Sequence, residues 1–189
     1  VGDIDNAVNT LNVTASSSDE TLIPLTGILI SGTGASRTVT VTPASNLSGG
    51  PVTITLEVSD GADTNTASFT VTVNAINDPP TITGPSPSTQ TINEGGSTGA
   101  LTFTVGDIDN AVNTLTVTAT SSDETLIPLT GILISGTGAS RTVTVTPAAN
   151  LSGGPVTITL EVSDGADSNT ASFTVTVNAI NDPPTITGP

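Results

Sequence analysis

Acidic and amide side chains gather in four short segments, and these are the residues whose types and spacing could support chemistry. The segments are Asp107 to Asn110, Ser163 to Asp167, Ala75 to Pro80 and Asn93 to Gly95. Calcium takes roughly six to eight oxygen ligands, and an Asp-x-Asp loop can direct two carboxylates at one ion. Asp-Gly and Asn-Asp are also ordinary turn residues, so each segment taken alone is either a turn or a ligand loop.

The amino-acid composition argues against an enzyme. The chain contains no His, Cys or Lys, so the usual pairs of nucleophile and base cannot form. Two carboxyl groups could act as acid and base, but such a pair needs a cleft that separates their pKa values. The acidic residues here lie beside Gly and Asn in loops. We therefore expect no catalytic residues and no organic cofactor.

The charge balance bears on partners. Asp and Glu number 17 against two basic residues, which gives a formal net charge of −15. Nucleic acids and anionic membrane surfaces attract a basic face, which this composition cannot provide. No apolar run approaches the ~20 residues of a membrane-spanning helix. We expect neither nucleic-acid binding nor membrane insertion by this segment.

The sequence is an internal repeat with a period of 104 residues, because Val1 to Asn6 recurs as Val105 to Asn110. Of the 85 positions that align, 81 are identical, as is typical of recently duplicated units in an array. The first copy has no equivalent of the segment Pro79 to Thr104. We predict a first repeat over residues 1–78 without its N-terminal strands, a complete repeat over 79–182 and the start of a third over 183–189. We expect upstream chain or a neighbouring molecule to supply the missing strands.

Apolar and polar residues alternate along most of the chain, which is the period of a half-buried β-strand. From Val156 to Val162, four apolar residues share one face while Thr and Glu occupy the other. One polar face per strand favours antiparallel sheets packed face to face. The fold class predicted is all-β, with an immunoglobulin-like sandwich of roughly seven to nine strands per repeat. The other predicted strands are Leu101–Val105, Leu115–Ala119, Val143–Val145, Ala171–Ala179, Thr81–Thr83, Thr89–Ile92, Leu126–Pro128 and Gly131–Ser135.

Parity along the strands also assigns the aromatic and Thr side chains. Phe69, Phe103 and Phe173 all have inward parity, so no aromatic platform of the kind that sugar sites use is expected at the surface. The outward rows of Thr are explained by high β-propensity. A regular array that binds ice or a polysaccharide is the alternative.

Chain direction predicts that two acidic loops meet the linker between repeats. In an antiparallel sandwich, the 107–109 and 163–167 loops each follow an even number of strand reversals from the entry of the repeat. Both loops then lie at the end where the linker arrives. So much negative charge is repulsive unless a cation neutralises it. The side chains placed around this junction are Asn77, Asp78, Asp107, Asp109 and Asp164.

The order of these motifs resembles that of cadherins, and most of all the cadherin-like tandem repeats of large bacterial surface adhesins of the RTX type. Asn-Asp-Pro-Pro closes a repeat, Asn93-Glu94 follows its first strand, and Ser163-Asp164-Gly165 precedes its last. Asp107 and Asp109 follow the second strand. The resemblance covers essentially the whole repeat and implies tandem immunoglobulin/cadherin-like domains that serve as extender modules.

The resemblance also implies a set of calcium ligands. Asn77 and Asp78 would bind from the linker, and Asp107, Asp109 and Asp164 from the following repeat. Glu94 would serve the next junction with Asn181 and Asp182, whereas Asp3, Asp5 and Asp60 would face the preceding one. Cadherins carry a further acidic motif in mid-module, but the matching stretch Thr146 to Gly154 contains no acid. We therefore expect one or two calcium ions per junction rather than three.

These observations lead to a functional expectation. The chain is expected to be a structural spacer of an extracellular adhesin or surface fibre, located at the cell surface and stiffened by calcium between repeats. Its partners would be neighbouring repeats of the same chain and, in a fibre, identical chains. The alternative is a glycan- or protein-binding β-sandwich module of a secreted protein.

Overall fold

The computed structural model describes residues 1–186 and 188, which contain thirteen β-strands in two compact units. Unit 1 is Val1–Ile76, and unit 2 is Asn77–Pro189. The boundary falls immediately before Asn77, so the linker from Asn77 to Pro80 belongs to unit 2. In the part of the chain that the structure describes, no helix is long and apolar enough to cross a membrane.

Unit 1 contains five strands in two sheets, one with the order β1-β4-β5 and one formed by β2 and β3. Every strand pair in it is antiparallel. A short 3₁₀ helix, Leu25–Gly27, precedes β2. The strands are β1 (Asn12–Ser17), β2 (Ile28–Ser31), β3 (Thr38–Val41), β4 (Gly49–Ser59) and β5 (Thr64–Val73).

Unit 2 contains eight strands in two four-stranded sheets, with the orders β10-β11-β8-β6 and β7-β13-β12-β9. The strands are β6 (Thr81–Thr83), β7 (Thr89–Asn93), β8 (Leu101–Gly106), β9 (Thr116–Ser121), β10 (Ile132–Ser135), β11 (Ser140–Val145), β12 (Gly153–Ser163) and β13 (Ser168–Asn178). Pairing is antiparallel except between β7 and β13, which run parallel.

The two sheets of unit 2 enclose one hydrophobic core. Phe103 of β8 and Val143 of β11 share a cluster with Ile158 of β12 and Phe173 of β13. None of these four side chains is more than 1% exposed. Full burial of one such side chain stabilises a fold by about 1.5–3 kcal/mol. The predicted all-β, immunoglobulin-like sandwich with seven to nine strands is confirmed.

The strand predicted at Leu126–Pro128 is wrong. This segment is a turn that leads into a 3₁₀ helix, Leu129–Gly131. The Asp123 carboxylate accepts hydrogen bonds from the backbone amides of Thr125 and Leu126, and the Ile127 amide donates to the Asp123 carbonyl. These bonds close a tight turn, while Leu126 and Ile127 are buried in the core. The two adjacent apolar residues Leu126 and Ile127 were interpreted as a short strand, but they are buried from a turn.

Unit 1 has a smaller core than unit 2. Its buried cluster consists of Leu22, Ile23, Val52 and Ile54. Phe69 has the inward parity predicted for it but is 37% exposed, whereas its repeat equivalent Phe173 is 1% exposed. The difference arises because unit 1 lacks counterparts of β6, β7 and β8.

Candidate metal centre

The linker and two acidic loops of unit 2 come together in one group of side chains, called here the linker cluster. Asp107 and Asp109 follow β8, while Asp164 and Asp167 lie in the turn between β12 and β13. The linker contributes its residues from the chain before β6. The linker cluster consists of Asn77, Asp78, Asp107, Asp109, Asp164 and Asp167.

Asp107 shapes the first loop by capping its backbone. Its Oδ1 atom accepts hydrogen bonds from the amides of Asp109 at 2.8 Å and Asn110 at 2.7 Å. The second carboxylate oxygen, Oδ2, is buried and has no hydrogen-bond partner. An unsatisfied buried charge destabilises the folded state by several kcal/mol unless a partner compensates it. This oxygen is therefore a candidate ligand for a cation.

Arg141 holds the turn that follows this loop. Its side chain is 6% exposed, and its guanidinium donates to the backbone carbonyls of Val112 at 2.7 Å, Leu115 at 3.0 Å and Gly138 at 3.1 Å. The fork of N–H donors on Arg suits several acceptors at once. Arg141 thus ties β11 to the segment between the Asp107 loop and β9.

In the second loop, an aspartate again caps backbone amides of its own loop. Asp164 Oδ1 accepts hydrogen bonds from the amides of Ala166 and Asp167, both at 2.7 Å. Ser163 Oγ donates to the Asp167 carbonyl at 3.0 Å, which closes the turn. Gly165 has φ +102°, a conformation that favours glycine. The turn leaves Asp164 Oδ2 and the Asp167 carboxylate free to face the linker.

The linker contacts both loops. The Asn77 side-chain amide donates to Asp164 Oδ2 and to Asp167 Oδ2, each at 2.9 Å. The Asp78 backbone amide donates to Asp109 Oδ2 at 2.7 Å. The linker is therefore fixed to each acidic loop by a direct hydrogen bond within unit 2.

A chain of hydrogen bonds connects the five residues that the sequence placed at this junction, with Asp78 taking part through its backbone amide. Asp167, which was not among the predicted ligands, also belongs to the cluster, and its spacing of three residues from Asp164 was the available signal. In the residues that the structure describes, no group of three or more His, Cys, Asp or Glu side chains converges to hold a metal ion. Asn77 instead bridges the carboxylates of Asp164 and Asp167, while backbone amides bind those of Asp107 and Asp109. A cation here would need amide, backbone and water oxygens for most of its ligands.

The donor set fits calcium better than the other common structural metals. Zinc prefers Cys and His, which the chain lacks, whereas calcium takes carboxylate, amide and backbone oxygens. The buried Asp107 Oδ2 supplies an uncompensated negative charge at the site. The residues that would hold the ion are Asn77, Asp78, Asp107, Asp109 and Asp164, with Asp167 beside them.

The equivalent loops of unit 1 show the arrangement without a linker. Asp3 Oδ1 accepts from the amides of Asp5 at 2.8 Å and Asn6 at 2.7 Å. The Asn6 side chain donates to Asp3 Oδ1 and to Asp60 Oδ2, both at 3.3 Å. Asn6 thus makes a long contact to Asp60, where Asn77 makes a short one to Asp164 in unit 2. The Asn77 side-chain amide of the linker therefore makes the shorter hydrogen bond to the second loop.

Glu94 lies at the exit of unit 2 rather than in the linker cluster. Its backbone amide donates to the Asn178 carbonyl at 2.9 Å, and its Oε1 atom accepts from the Ile180 amide. The Asn181 side chain makes a 3.4 Å contact to the Asp182 carbonyl. Glu94 therefore reaches the backbone of the exit linker one residue before Asn181, in the region where the sequence placed these three residues.

Hydrogen bonding lowers the pKa of Asp164 and that of Asp60, its repeat equivalent in unit 1. The Asp167 amide, then the Asn77 side chain and the Ala166 amide, hold the pKa of Asp164 below its ordinary value of 3.8. The pKa of Asp60 is lowered mainly by hydrogen bonds from the amides of Asp63 and Ala62. A lowered pKa in the folded state means that the stabilisation is present above pH 3.8 and is lost as the pH falls through the folded-state pKa.

We predict that Asn77→Ala raises the pKa of Asp164 and leaves the pKa of Asp60 unchanged. The reason is that Asp164 loses a side-chain donor, whereas the pKa of Asp60 is lowered by amides of its own loop. Carboxyl ¹³C chemical shifts followed between about pH 2 and 6, around the ordinary Asp value, measure both groups in one sample. An unchanged Asp164 titration in the variant would show that the Asn77 contact is absent in solution.

Comparison with known proteins places unit 2 in a family. The sequence profile of the bacterial Ig domain matches residues 77–178, more than half of the chain. The chain belongs to the bacterial Ig domain family. The match begins at the first residue of unit 2 and ends at the last residue of β13. The matched region therefore includes the linker that precedes β6, and the resemblance to an immunoglobulin-like tandem repeat is confirmed.

The solved structures to which the chain is similar come from several kinds of protein. Surface layer protein SbsC, domains 4-9, is 22% identical with a TM-score of 0.44, over 94% of this chain and 23% of that chain. The titin domains z1z2 in complex with telethonin are 18% identical with a TM-score of 0.43, over 90% of this chain and 83% of that chain. The endo-fucoidan hydrolase MfFcnA4 is 20% identical with a TM-score of 0.38, over 92% of this chain and 24% of that chain.

This bacterial Ig domain chain thus spans about a quarter of the length of the hydrolase and surface-layer chains. A search of curated proteins gave no match.

Proposed function

We propose that this bacterial Ig domain chain is a structural spacer of an extracellular adhesin or surface fibre, with calcium at the linker cluster stiffening the array. One observation carries the proposal. The linker residues Asn77 and Asp78 are hydrogen-bonded to both acidic loops, beside a buried Asp107 oxygen that has no partner. A cation at this position would bind linker and domain at once.

The repeat sequence supports a spacer. Near-identical copies in tandem form quasi-one-dimensional arrays, in which each repeat adds length without adding a new site. The linker Asn-Asp-Pro-Pro is short and contains none of the Gly and Ser that make linkers flexible. Proline restricts the residue before it to extended backbone, so Asp78 and Pro79 have little conformational freedom. The cation would remove much of what remains.

The side-chain inventory supports a role without catalysis. The chain lacks His, Cys and Lys, and the acids of the linker cluster are occupied in capping loops and binding the linker. We assign the chain to the cell surface or to a secreted fibre, where calcium is abundant. Its partners in this proposal are neighbouring repeats and, in a fibre, identical chains.

Calcium is expected to raise the unfolding temperature of the full chain relative to EDTA. A ligand that binds only the folded state adds about 2.7 kcal/mol at a hundredfold excess over its Kd. For a domain of this size that corresponds to a rise of about 10 °C. Differential scanning calorimetry with calcium chloride or EDTA measures the shift, and titration calorimetry counts one or two ions per linker cluster.

The variant Asp107→Asn separates binding from loop capping. Asn keeps an oxygen that can accept from the Asp109 and Asn110 amides, but it removes the charge. We expect this variant to be at least as stable as wild type in EDTA, because the buried charge is removed, and to lose the calcium shift. Asp3→Asn, the matched change in unit 1, should retain the shift. Equal unfolding temperatures of the wild type in calcium and EDTA, with no heat of binding, would refute the calcium site.

Stiffening is tested separately from binding. When EDTA removes calcium, small-angle X-ray scattering of the full chain should show that the maximum dimension changes and becomes less well defined. If calcium binds but the scattering curves superimpose, the ion has a local stabilising role and the spacer is not stiffened by it.

A further inference from the structure

Unit 1 contains a cavity of about 570 Å³ between its two sheets. Aliphatic side chains line it from both sides. Val13, Leu56 and Val58 come from the three-stranded sheet, and Ile30 and Val39 from the two-stranded sheet. These residues have inward parity and would form a hydrophobic core if the space were filled.

The same space in unit 2 is filled by the chain itself. Val143, Leu160 and Val162, the repeat equivalents of Val39, Leu56 and Val58, are all 0% exposed. Phe103 of β8 lies in their cluster, and Ile82 and Ile92 pack against it. These three residues belong to the segment that unit 1 lacks. The cavity is therefore the place of a missing part of the core, rather than a pocket shaped for a small molecule.

Two strand edges in unit 1 are open where their equivalents in unit 2 are paired. In unit 2, β13 pairs with β7 from Thr174 to Asn178, and β11 pairs with β8, with Arg141 opposite Phe103. In unit 1, β5 and β3 have no such neighbours among the described residues. The missing pairing also shortens β3, which has four residues against six in β11. Open edges and an apolar groove together are the requirements for strand addition.

Val1 fixes the register of the segment that would enter. Its nitrogen donates to the Ala35 carbonyl at 2.6 Å, and the Val105 amide donates to the equivalent Ala139 carbonyl at 2.8 Å. Val105 lies within β8, so Val1 already stands where the missing strand would continue. A residue attached to the Val1 nitrogen would lie opposite Ser36, just before β3, in the position that Thr104 takes opposite Ser140 in β11.

We propose that unit 1 is a docking site for three strands with the sequence pattern of Pro79 to Thr104, joined to Val1 in the same polypeptide. The third of these strands would run between β3 and the first, and the second would pair with the open edge of β5. Inward residues corresponding to Phe103, Leu101, Ile92 and Ile82 would fill the cavity and cover Phe69. This inference is independent of calcium, because it concerns the core of unit 1 and not the linker cluster.

The test compares three chains. One is the chain described here. The second carries an added copy of Pro79 to Thr104 before Val1. The third carries the same addition with Leu101→Asp and Phe103→Asp inside the added copy. Hydrogen exchange followed by proteolysis reports on β5 and β13 separately, because Thr64 in unit 1 is Ser168 in unit 2.

In the extended chain, exchange of the β5 amides is expected to slow by about a hundredfold or more and to approach that of β13. The control addition should leave β5 exchange as it is in the original chain, and light scattering should show that the extended chain is monomeric. Unchanged exchange in the extended chain, or equal slowing by the control, overturns the proposal. An original chain that is dimeric with β5 already protected also overturns it, because a second copy would then occupy the groove.

Discussion

Phe173→Ala is expected to lower the free energy of unfolding of unit 2 by about 3–5 kcal/mol, the usual effect of removing a buried aromatic ring from a core. Phe173 is 1% exposed and lies in the cluster that joins the two sheets. The remaining side chains are fixed by strand pairing and cannot collapse into the space that the ring leaves. Hydrogen exchange of β12 and β13 at increasing urea concentration measures the loss.

The repeat provides a matched control for this prediction. Phe69→Ala changes the equivalent residue, which is 37% exposed because its side of the core is uncovered. The expected loss in unit 1 is about 1 kcal/mol, since less apolar surface is removed from a buried environment and no enclosed cavity forms. Equal losses in the two units would mean that Phe69 is buried in solution. The strand-docking proposal predicts burial of Phe69 in the extended chain but not in the original chain.

Arg141→Ala is expected to destabilise unit 2 by about 3 kcal/mol, because hydrogen bonds to charged groups contribute about 1.5–3 kcal/mol each and are not additive. The substitution leaves the carbonyls of Val112 and Leu115 without their donor and opens a buried space between β11 and the turn before β9. Because that turn follows the Asp107 loop, calcium binding should weaken as well. Urea-dependent hydrogen exchange and titration calorimetry measure the two effects.

Two variants identify the origin of the Arg141 effect. Arg141→Lys keeps the charge but not the fork of donors, so it should recover only part of the lost stability. Arg37→Ala changes the equivalent residue in unit 1, which is only partly buried and whose contacts to the Val8 and Leu11 carbonyls are longer, at 3.2 and 3.3 Å. Its effect on unit 1 should be smaller. Full recovery by Lys would indicate that charge alone matters.

The fold was largely predictable because alternation is strict. In β12, the apolar residues from Val156 to Val162 are buried and the intervening residues are not, as the sequence indicated. The failure at Leu126–Pro128 has a local cause, since a run of two apolar residues carries no period that separates strand from turn. The burial of Arg141 could have been predicted, because Arg141 lies on the same inward face of its strand as Val143. The sequence did not reveal that the buried guanidinium of Arg141 would donate to backbone carbonyls rather than to an acidic side chain.

The linker cluster was predictable to the level of which residues meet, but not of how they bind. Counting strand reversals placed Asn77 near Asp164, and the structure joins them through a hydrogen bond. The sequence could not show that Asp107 divides its carboxylate between a capping oxygen and a buried oxygen without a partner. That division depends on the backbone path of the loop, which residue spacing alone does not define.

The parallel pairing of β7 with β13 has a mechanical consequence. The pairing joins an entry strand, Thr89–Asn93, to the exit strand along Thr174–Asn178. Tension applied between the two ends of unit 2 pulls these strands in opposite directions along their length. Every hydrogen bond in the ladder is then loaded in shear at the same time, rather than being opened one after another. A domain built in this way resists a pulling force with all the hydrogen bonds of this ladder at once.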